Sequence, residues 1–217
     1  MKKIIAVNAS PRVNWNTSKL VMEAVRGAKS QGAEVKVYNL YQLDKFTGCI
    51  SCFGCKLPQH LGKCICRDGL TEILDEIRSA DGLILGTPNY LGNISAGLRA
   101  LYERLIFQSL TYKLEPRSYN NHMIPVLFIM TSNASEEYYD QIGYTDMLSD
   151  YRNSLNRFVG PTKIMISDNT LQVNNYDVYD WTMFDSEKKK EYHDKHFPDE
   201  LKKAYNLGID IVSSSWE

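Results

Sequence analysis

The strongest constraint on the fold is a repeated alternation of short apolar segments with amphipathic ones. Residues 3–7 are apolar and β-branched and end at Asn8, a pattern typical of a buried strand. Residues 17–31 follow with apolar positions at helical spacing, with Asn16 or Thr17 as the predicted N-cap and Gly32 just past the end. The alternation recurs, with strands predicted at 34–40, 82–86, 124–130 and 163–166 and helices at 68–80, 96–110, within 135–158, and at 198–213.

Five such units predict the architecture. Continuous apolar strands separated by helices indicate a parallel sheet covered on both faces. Because crossovers are right-handed, the expected result is a doubly wound α/β sandwich of three layers, and five strands favour the flavodoxin-like order 2-1-3-4-5. We expect a single domain over residues 1–217. Two stretches, 44–67 and 167–186, exceed ordinary loop length, and loops of that length are often functional.

Charge and hydropathy exclude several classes of protein. The 217 residues include 25 Lys and Arg against 26 Asp and Glu, a net charge of −1. Without a basic surplus we expect no nucleic-acid partner. No run approaches the ~20 apolar residues of a membrane helix, so we expect no membrane partner. The apolar run after Lys3 is also too short for a secretory signal, which predicts a cytoplasmic protein.

The loop after the first predicted strand concentrates short hydrogen-bonding side chains. It has neither the Gly-x-Gly-x-x-Gly fingerprint nor a Gly-Lys-Ser/Thr phosphate loop. It does lie where open α/β sheets bind ligands, beside the free N–H groups of a helix start, so it predicts a site for a terminal phosphate monoester. The alternative is that these residues only cap the helix and form a turn. The candidate ligands are Ser10, Arg12, Asn14, Asn16, Thr17 and Ser18.

The loop after the third predicted strand faces the same cleft. It contains a stiffening proline, a tyrosine with an apolar body and a polar tip, and a glycine that lets a ligand approach the backbone. Backbone N–H groups in such a loop donate to the carbonyl and ring nitrogens of a flat heterocycle. The candidate residues are Pro88, Asn89, Tyr90, Leu91, Gly92 and Asn93.

All five cysteines lie within residues 49–66. The triplet Cys49-x2-Cys52-x2-Cys55 is close to the spacing that converges on a metal–sulfide core in bacterial ferredoxins, and Cys64 is the best fourth ligand for a [4Fe–4S] cluster. Cys66 is expected to pack beside a helix. Three alternatives stay open: a zinc site, free thiols, or a disulfide formed by oxidation.

Two motifs together resemble the flavodoxin-like NADPH-dependent FMN reductases. They are Asn8-x-Ser10-Pro11-Arg12-x-Asn14-x-Asn16-Thr17 and the segment 80–95, which contains Gly86-Thr87-Pro88-x-Tyr90-x-Gly92. The closing segment 197–208 is similar too, and the cysteines narrow the resemblance to the iron–sulfur flavoproteins and their close relatives. Two departures are Ala9, where the family usually has Gly, and the eight-residue gap before Cys64, which is shorter in the iron–sulfur flavoproteins.

The resemblance implies a cofactor, a reaction and an assembly. Ser10, Arg12, Asn14, Asn16 and Thr17 would hold the phosphate of FMN, Pro88 to Asn93 would line the isoalloxazine ring, and Thr131 and Ser132 would complete the cleft. The flavin would accept a hydride from NAD(P)H and reduce a quinone, free flavin or other small acceptor, so no side chain is assigned as catalytic. A homodimer or higher homo-oligomer is implied as well.

Two other functions remain open at this point. One is an iron–sulfur flavoprotein that exchanges electrons with a redox protein partner, without a direct part for NAD(P)H. The other is a non-catalytic FMN-binding module.

Overall fold

The fold centres on a parallel sheet that has the predicted strand order. The computed structural model describes residues 1–213 and Trp216. The strands are β1 (Lys3–Asn8), β2 (Glu34–Asn39), β3 (Gly82–Tyr90), β4 (Asn93–Ile94), β5 (Val126–Thr131) and β6 (Thr162–Ser167). They are arranged β2-β1-β3-β5-β6, with the two-residue β4 antiparallel to β3. Setting β4 aside, the five parallel strands have the order 2-1-3-4-5, which confirms the flavodoxin-like class.

Helices cover both faces of the sheet. They are α1 (Asn16–Ser30), α2 (Thr71–Ile77), α3 (Ala96–Ser109), α4 (Tyr144–Phe158) and α5 (Ser186–Asp210). Alternate residues of β1 enter two different cores: Ile5 packs with α2, α3 and α4, and Ile4 packs with α1 and α5. This two-sided burial explains why the central strands β1, β3 and β5 are mainly apolar.

Helices α1 and α5 approach backbone to backbone. A Cβ added to Gly208 would overlap the carbonyl oxygen of Ala24, and one added to Gly27 would overlap that of Tyr205. Only glycine permits this approach. The contact fixes α5 against α1, and its N-terminal half then extends to the carboxyl edge of the sheet.

Two elements extend well beyond their predicted boundaries, and α2 (Thr71–Ile77) is shorter at both ends than the predicted helix 68–80. Helix α5 begins at Ser186 rather than near residue 198, and Pro198 lies inside it. The Asp185 side chain caps this helix by accepting from the backbone N–H of Lys188 at 3.1 Å. The mixed charges before Pro198 are thus the first turns of a helix. Strand β3 also continues to Tyr90, beyond the predicted Gly86. No helix in the described part of the chain is both long and apolar enough to span a bilayer.

Candidate functional site

A cleft of about 340 Å³ lies at the carboxyl ends of β1, β3 and β5. This volume is in the range of small-molecule sites. The predicted residues that line it are Ser10, Arg12, Asn16, Thr17, Pro88, Asn89, Tyr90 and Thr131. The structure therefore brings together side chains from three separate loops.

The start of α1 presents unpaired backbone donors to this cleft. Trp15 occupies the N-cap position, and no side chain caps the helix, so the predicted cap by Asn16 or Thr17 is wrong. The first-turn N–H groups of a helix have no partner within it. Together with the helix dipole, they form a site suited to an anion.

Two of the predicted phosphate ligands lie outside the cleft lining. Asn14 is exposed, and the hydroxyl of Ser18 donates to the carbonyl of Val13. Ser10 lines the cleft, and its hydroxyl accepts from the backbone N–H of Arg12 at 3.1 Å. Thr17 and Thr131 share a hydrogen bond of 2.7 Å between their hydroxyls, which joins α1 to the end of β5.

The long loop 167–186 forms the wall opposite the phosphate loop. Arg12 Nη1 donates to the carbonyl of Gln172 at 2.6 Å. The carbonyl of Leu171 accepts from Trp15 Nε1 at 3.0 Å and from Asn16 Nδ2 at 2.7 Å. The length of this loop marked it in the sequence, but nothing there indicated that its carbonyls meet the predicted phosphate donors.

The end of β3 contributes a buried donor with no partner. Asn89 Oδ1 accepts from the backbone N–H of Gly92 at 3.0 Å, whereas Asn89 Nδ2 is buried without a hydrogen bond. A buried polar group left unpaired is costly, so its presence beside a cleft favours a ligand that accepts from it.

The turn after Asn89 is shaped by two residues with left-handed backbone, Leu91 at φ 54° and Gly92 at φ 79°. The Leu91 side chain is fully exposed, and Asn93 Oδ1 accepts from the Tyr151 hydroxyl at 2.6 Å. None of these three predicted ring contacts lines the cleft itself. They position Asn89 and Tyr90, which do.

The end of β5 supports the cleft from behind. The carbonyl of Ser132 accepts from the backbone N–H of Thr170 at 2.9 Å, so Ser132 fixes the long loop and does not line the cleft. Asn133, which the sequence did not single out, does line it. Lys189 Nζ donates to Asn133 Oδ1 at 2.6 Å and to Asn169 Oδ1 at 2.5 Å.

Two ionisable residues of α5, the buried Lys189 and the half-buried Glu200, lie near this edge. Burial lowers the pKa of Lys189 to about 8, only partly offset by Asp168. Burial raises the pKa of Glu200 to about 7, although the Ser167 hydroxyl donates to its Oε2 at 2.6 Å. Neither residue was identified from the sequence. Lys189 lies before the predicted start of the helix near residue 198, and Glu200 lies within the predicted helix, where nothing in the pattern distinguishes it from the surrounding charged residues.

The five cysteines line a second pocket, which we call the cysteine pocket. All five are free thiols. Side chains of α3 hold their loop: Glu103 accepts from the N–H of Cys49 at 3.2 Å, and Gln108 accepts from that of Cys64 at 3.1 Å. Cys66, which was expected to pack beside a helix, contacts α3 through Arg104 and also lines the pocket with the other four.

The cysteine triplet has unusual backbone geometry. Ser51 and Phe53 have φ of 53° and 55°, a left-handed conformation that non-glycine residues seldom adopt and that tends to occur at functional sites. In the described residues, no group of three or more His, Cys, Asp and Glu side chains is arranged to hold a metal ion. Five convergent thiols nevertheless match the donor chemistry of an iron–sulfur cluster.

Comparison with known proteins identifies relatives of the sequence. Residues 2–137 match the family described as NADPH-dependent FMN reductase. An iron–sulfur flavoprotein of Methanocaldococcus jannaschii is 39% identical over 102 residues, which cover 47% of this chain and 51% of that protein. One from Methanosarcina thermophila is 32% identical over 104 residues, 48% of this chain and 52% of the relative. The chain thus spans about half the length of these curated relatives.

Solved structures share the fold. An NAD(P)H:quinone oxidoreductase from Methanothermobacter marburgensis superimposes with a TM-score of 0.69 at 15% identity, covering 98% of both chains. An FMN-dependent NADH-azoreductase from Bacillus anthracis, solved with FMN, gives a TM-score of 0.65 at 15% identity, covering 97% of this chain and 100% of that one. At these identities the likeness concerns the fold alone.

Proposed function

The chain belongs to the NADPH-dependent FMN reductase family, and on this basis we propose that it is an FMN-binding oxidoreductase that uses NAD(P)H to reduce a quinone, flavin or other small acceptor. The observation that carries the proposal is the pairing of two unsatisfied features in one cleft. The uncapped start of α1 lies on one side, and the unpartnered Asn89 amide lies on the other.

The residues of the cleft suit the two ends of FMN. The N–H groups of α1, the hydroxyl of Thr17 and the free nitrogens of Arg12 would hold the phosphate by charge-assisted hydrogen bonds. Asn89 Nδ2 would donate to an acceptor on the ring, and Tyr90 would cover part of the ring. Bound FMN supplies the hydride chemistry, and the protein supplies orientation and hydrogen bonds.

We further propose that the cysteine pocket holds a [4Fe–4S] cluster through Cys49, Cys52, Cys55 and Cys64. The presence of all five thiols in one pocket supports this, as does the similarity of the chain to iron–sulfur flavoproteins. A cluster would let electrons leave singly to a redox protein partner. An odd number of cysteines confined to one segment, unlike the spread even number of a secreted disulfide framework, supports a location in the cytoplasm.

Anaerobic purification followed by a visible spectrum, iron and sulfide analysis, and steady-state NADPH and NADH oxidation with a quinone tests these proposals. We expect flavin bands, cluster absorbance and turnover. Flavin without turnover on any acceptor would reduce the protein to an FMN-binding module. Flavin with no iron, even after anaerobic reconstitution, would remove the cluster and leave the reductase. Sedimentation velocity on the same sample tests the proposed homodimer.

A further inference from the structure

A buried arginine forms part of the wall of the cysteine pocket. Arg104 of α3 is only 2% exposed and lines the pocket beside the thiols. Its Nη1 donates to both carboxylate oxygens of Asp68, at 2.6 and 2.7 Å, and its Nη2 donates to the carbonyl of Cys66 at 2.8 Å. The guanidinium is therefore held in one place by contacts on its far end.

Among the three guanidinium nitrogens, Nε is the one without a hydrogen-bond partner. Arg104 Nε is buried and has no hydrogen-bond partner. Leaving a buried charged donor unpaired costs more than leaving a neutral one, so native structures rarely keep such a group without a ligand or a redox role for it. The unpaired atom belongs to a residue that shares the pocket lining with all five cysteines.

The two members of the ion pair stand differently toward the cysteines. Asp68 is absent from the pocket lining and contacts one thiol, that of Cys66, at 3.9 Å from Oδ2, and its carboxylate also accepts from the backbone N–H groups of Thr47 and Leu70. Arg104 lines the pocket together with all five cysteines. Arginine stays protonated at every pH at which the protein folds, so this charge is permanent.

We propose that Arg104 is a redox-tuning residue that donates a hydrogen bond from Nε to a sulfur of the cysteine-bound cluster and stabilises its reduced state. This inference rests on the proposed cluster. The step concerned is the transfer of one electron to the cluster from reduced flavin, with no proton and no bond made or broken. The cluster becomes more negative by one charge, and hydrogen bonds and positive charge at its sulfurs then raise its reduction potential.

The test uses the full chain, purified anaerobically, with iron and sulfide per chain and the midpoint potential of the cluster as readouts. For Arg104→Gln we expect retained iron and at least a tenfold fall in the equilibrium constant for one-electron reduction, equivalent to about 59 mV. Arg104→Lys keeps the charge but loses the planar guanidinium. Its midpoint potential should lie between those of the wild type and Arg104→Gln.

Arg78→Gln is the matched control. Arg78 also donates to a carbonyl of the cysteine loop, that of Gly62, but it does not line the cysteine pocket. This variant removes the same charge and a comparable loop contact, so we expect its potential to match the wild type.

Different outcomes refute the role of Arg104 and the proposed cluster on which that role rests. A wild-type protein that binds no iron refutes the cluster, and the inference with it. A loaded Arg104→Gln protein with an unchanged potential, or with the same shift as Arg78→Gln, refutes the inference alone. If Arg104→Gln binds no iron, the double variant Asp68→Asn/Arg104→Gln is tested next, because it also removes the Asp68 carboxylate that the single variant leaves without its cation. Loss of iron in that variant too, with flavin retained, assigns Arg104 a purely structural role.

Discussion

The flavin cleft and the cysteine pocket differ in what builds them. The cleft is formed where parallel strands end, so its position follows from the sheet topology. The cysteine pocket is formed by a loop that has only the short 3-10 turns Gly54–Lys56 and Pro58–His60 and depends on α3 side chains for its shape. The fold alone therefore provides the first site, and particular side chains provide the second.

Their electrostatics differ as well. Near the cleft, Lys189 and Glu200 have pKa values moved toward neutrality by burial. At the cysteine pocket the charge is that of Arg104, whose pKa is pulled down by burial but held above its ordinary value by Asp68 and Cys64. The cleft edge should thus respond to pH, whereas the arginine of the cysteine pocket should not.

The largest expected effect separates the two sites. Cys55→Ser should reduce bound iron to background and leave FMN bound, because Cys55 is buried in the cysteine pocket and the cleft is built from other loops. Iron analysis and flavin absorbance of the same sample measure both. If FMN is lost together with iron, the two sites are not independent.

Replacing Glu200 tests the pH response. Because the pKa of Glu200 is raised to about 7 in the folded protein, its carboxyl stays protonated up to about pH 7. In the unfolded chain the same carboxyl loses its proton above its ordinary pKa, which is lower. Wild-type stability should therefore fall as pH rises through this window, and Glu200→Gln should not share that fall. We expect the variant to gain about 1–2 kcal/mol on the wild type between pH 5 and pH 8, after allowance for solvent screening.

Urea unfolding of both proteins at the two pH values measures this gain. The variant keeps an oxygen that accepts from the Ser167 hydroxyl, so the hydrogen bond itself is matched. Parallel changes in the free energy of unfolding would show that Glu200 titrates normally.

The phosphate loop should show a smaller effect that distinguishes its members. Arg12→Ala should weaken FMN binding by about 1 kcal/mol, roughly fivefold, the value of one charge-assisted hydrogen bond. Asn14→Ala should have less effect, because Asn14 is exposed outside the cleft lining. Flavin fluorescence titration measures both. Equal losses of FMN affinity in the two variants would show that Asn14 also binds the phosphate, as the sequence motif implies and the cleft lining does not. No loss of affinity in Arg12→Ala would refute the phosphate assignment.

The smallest expected effect is at Cys66. Cys66→Ser should keep its iron, because the Cys66 sulfur lies 3.9 Å from Asp68 Oδ2 and the Cys66 carbonyl accepts from Arg104. Iron content measures this against Cys64→Ser, which should lose the cluster. The reverse result would make Cys66 the fourth ligand.

Much of the fold was predictable because burial on two faces imposes a pattern on the sequence. The three central strands are mainly apolar, the edge strand β2 alternates apolar with polar residues, and four of the five helices were placed close to their observed positions. The failures have local causes. Strand β4 has two residues and too little pattern to detect, and the charged first turns of α5 resemble any solvated segment.

The candidate site was predictable where its residues directly follow strands. Ser10, Thr17 and Asn89 were found in this way, and they line the cleft. Asn133, Leu171 and Gln172 were missed, since two of them act through backbone carbonyls that any residue would supply. A sequence pattern carries no signal for such contacts.

By itself, the sequence determined the strand–helix alternation, the donors at the strand ends and the confinement of all cysteines to one loop. Only the tertiary structure decided which donors remain unpaired and what faces them: the uncapped start of α1, Asn89 Nδ2 and Arg104 Nε. The physical reason is that burial imposes a regular spacing of apolar residues that is visible in the sequence. Whether a polar atom is unpaired depends on neighbours that folding brings from distant segments.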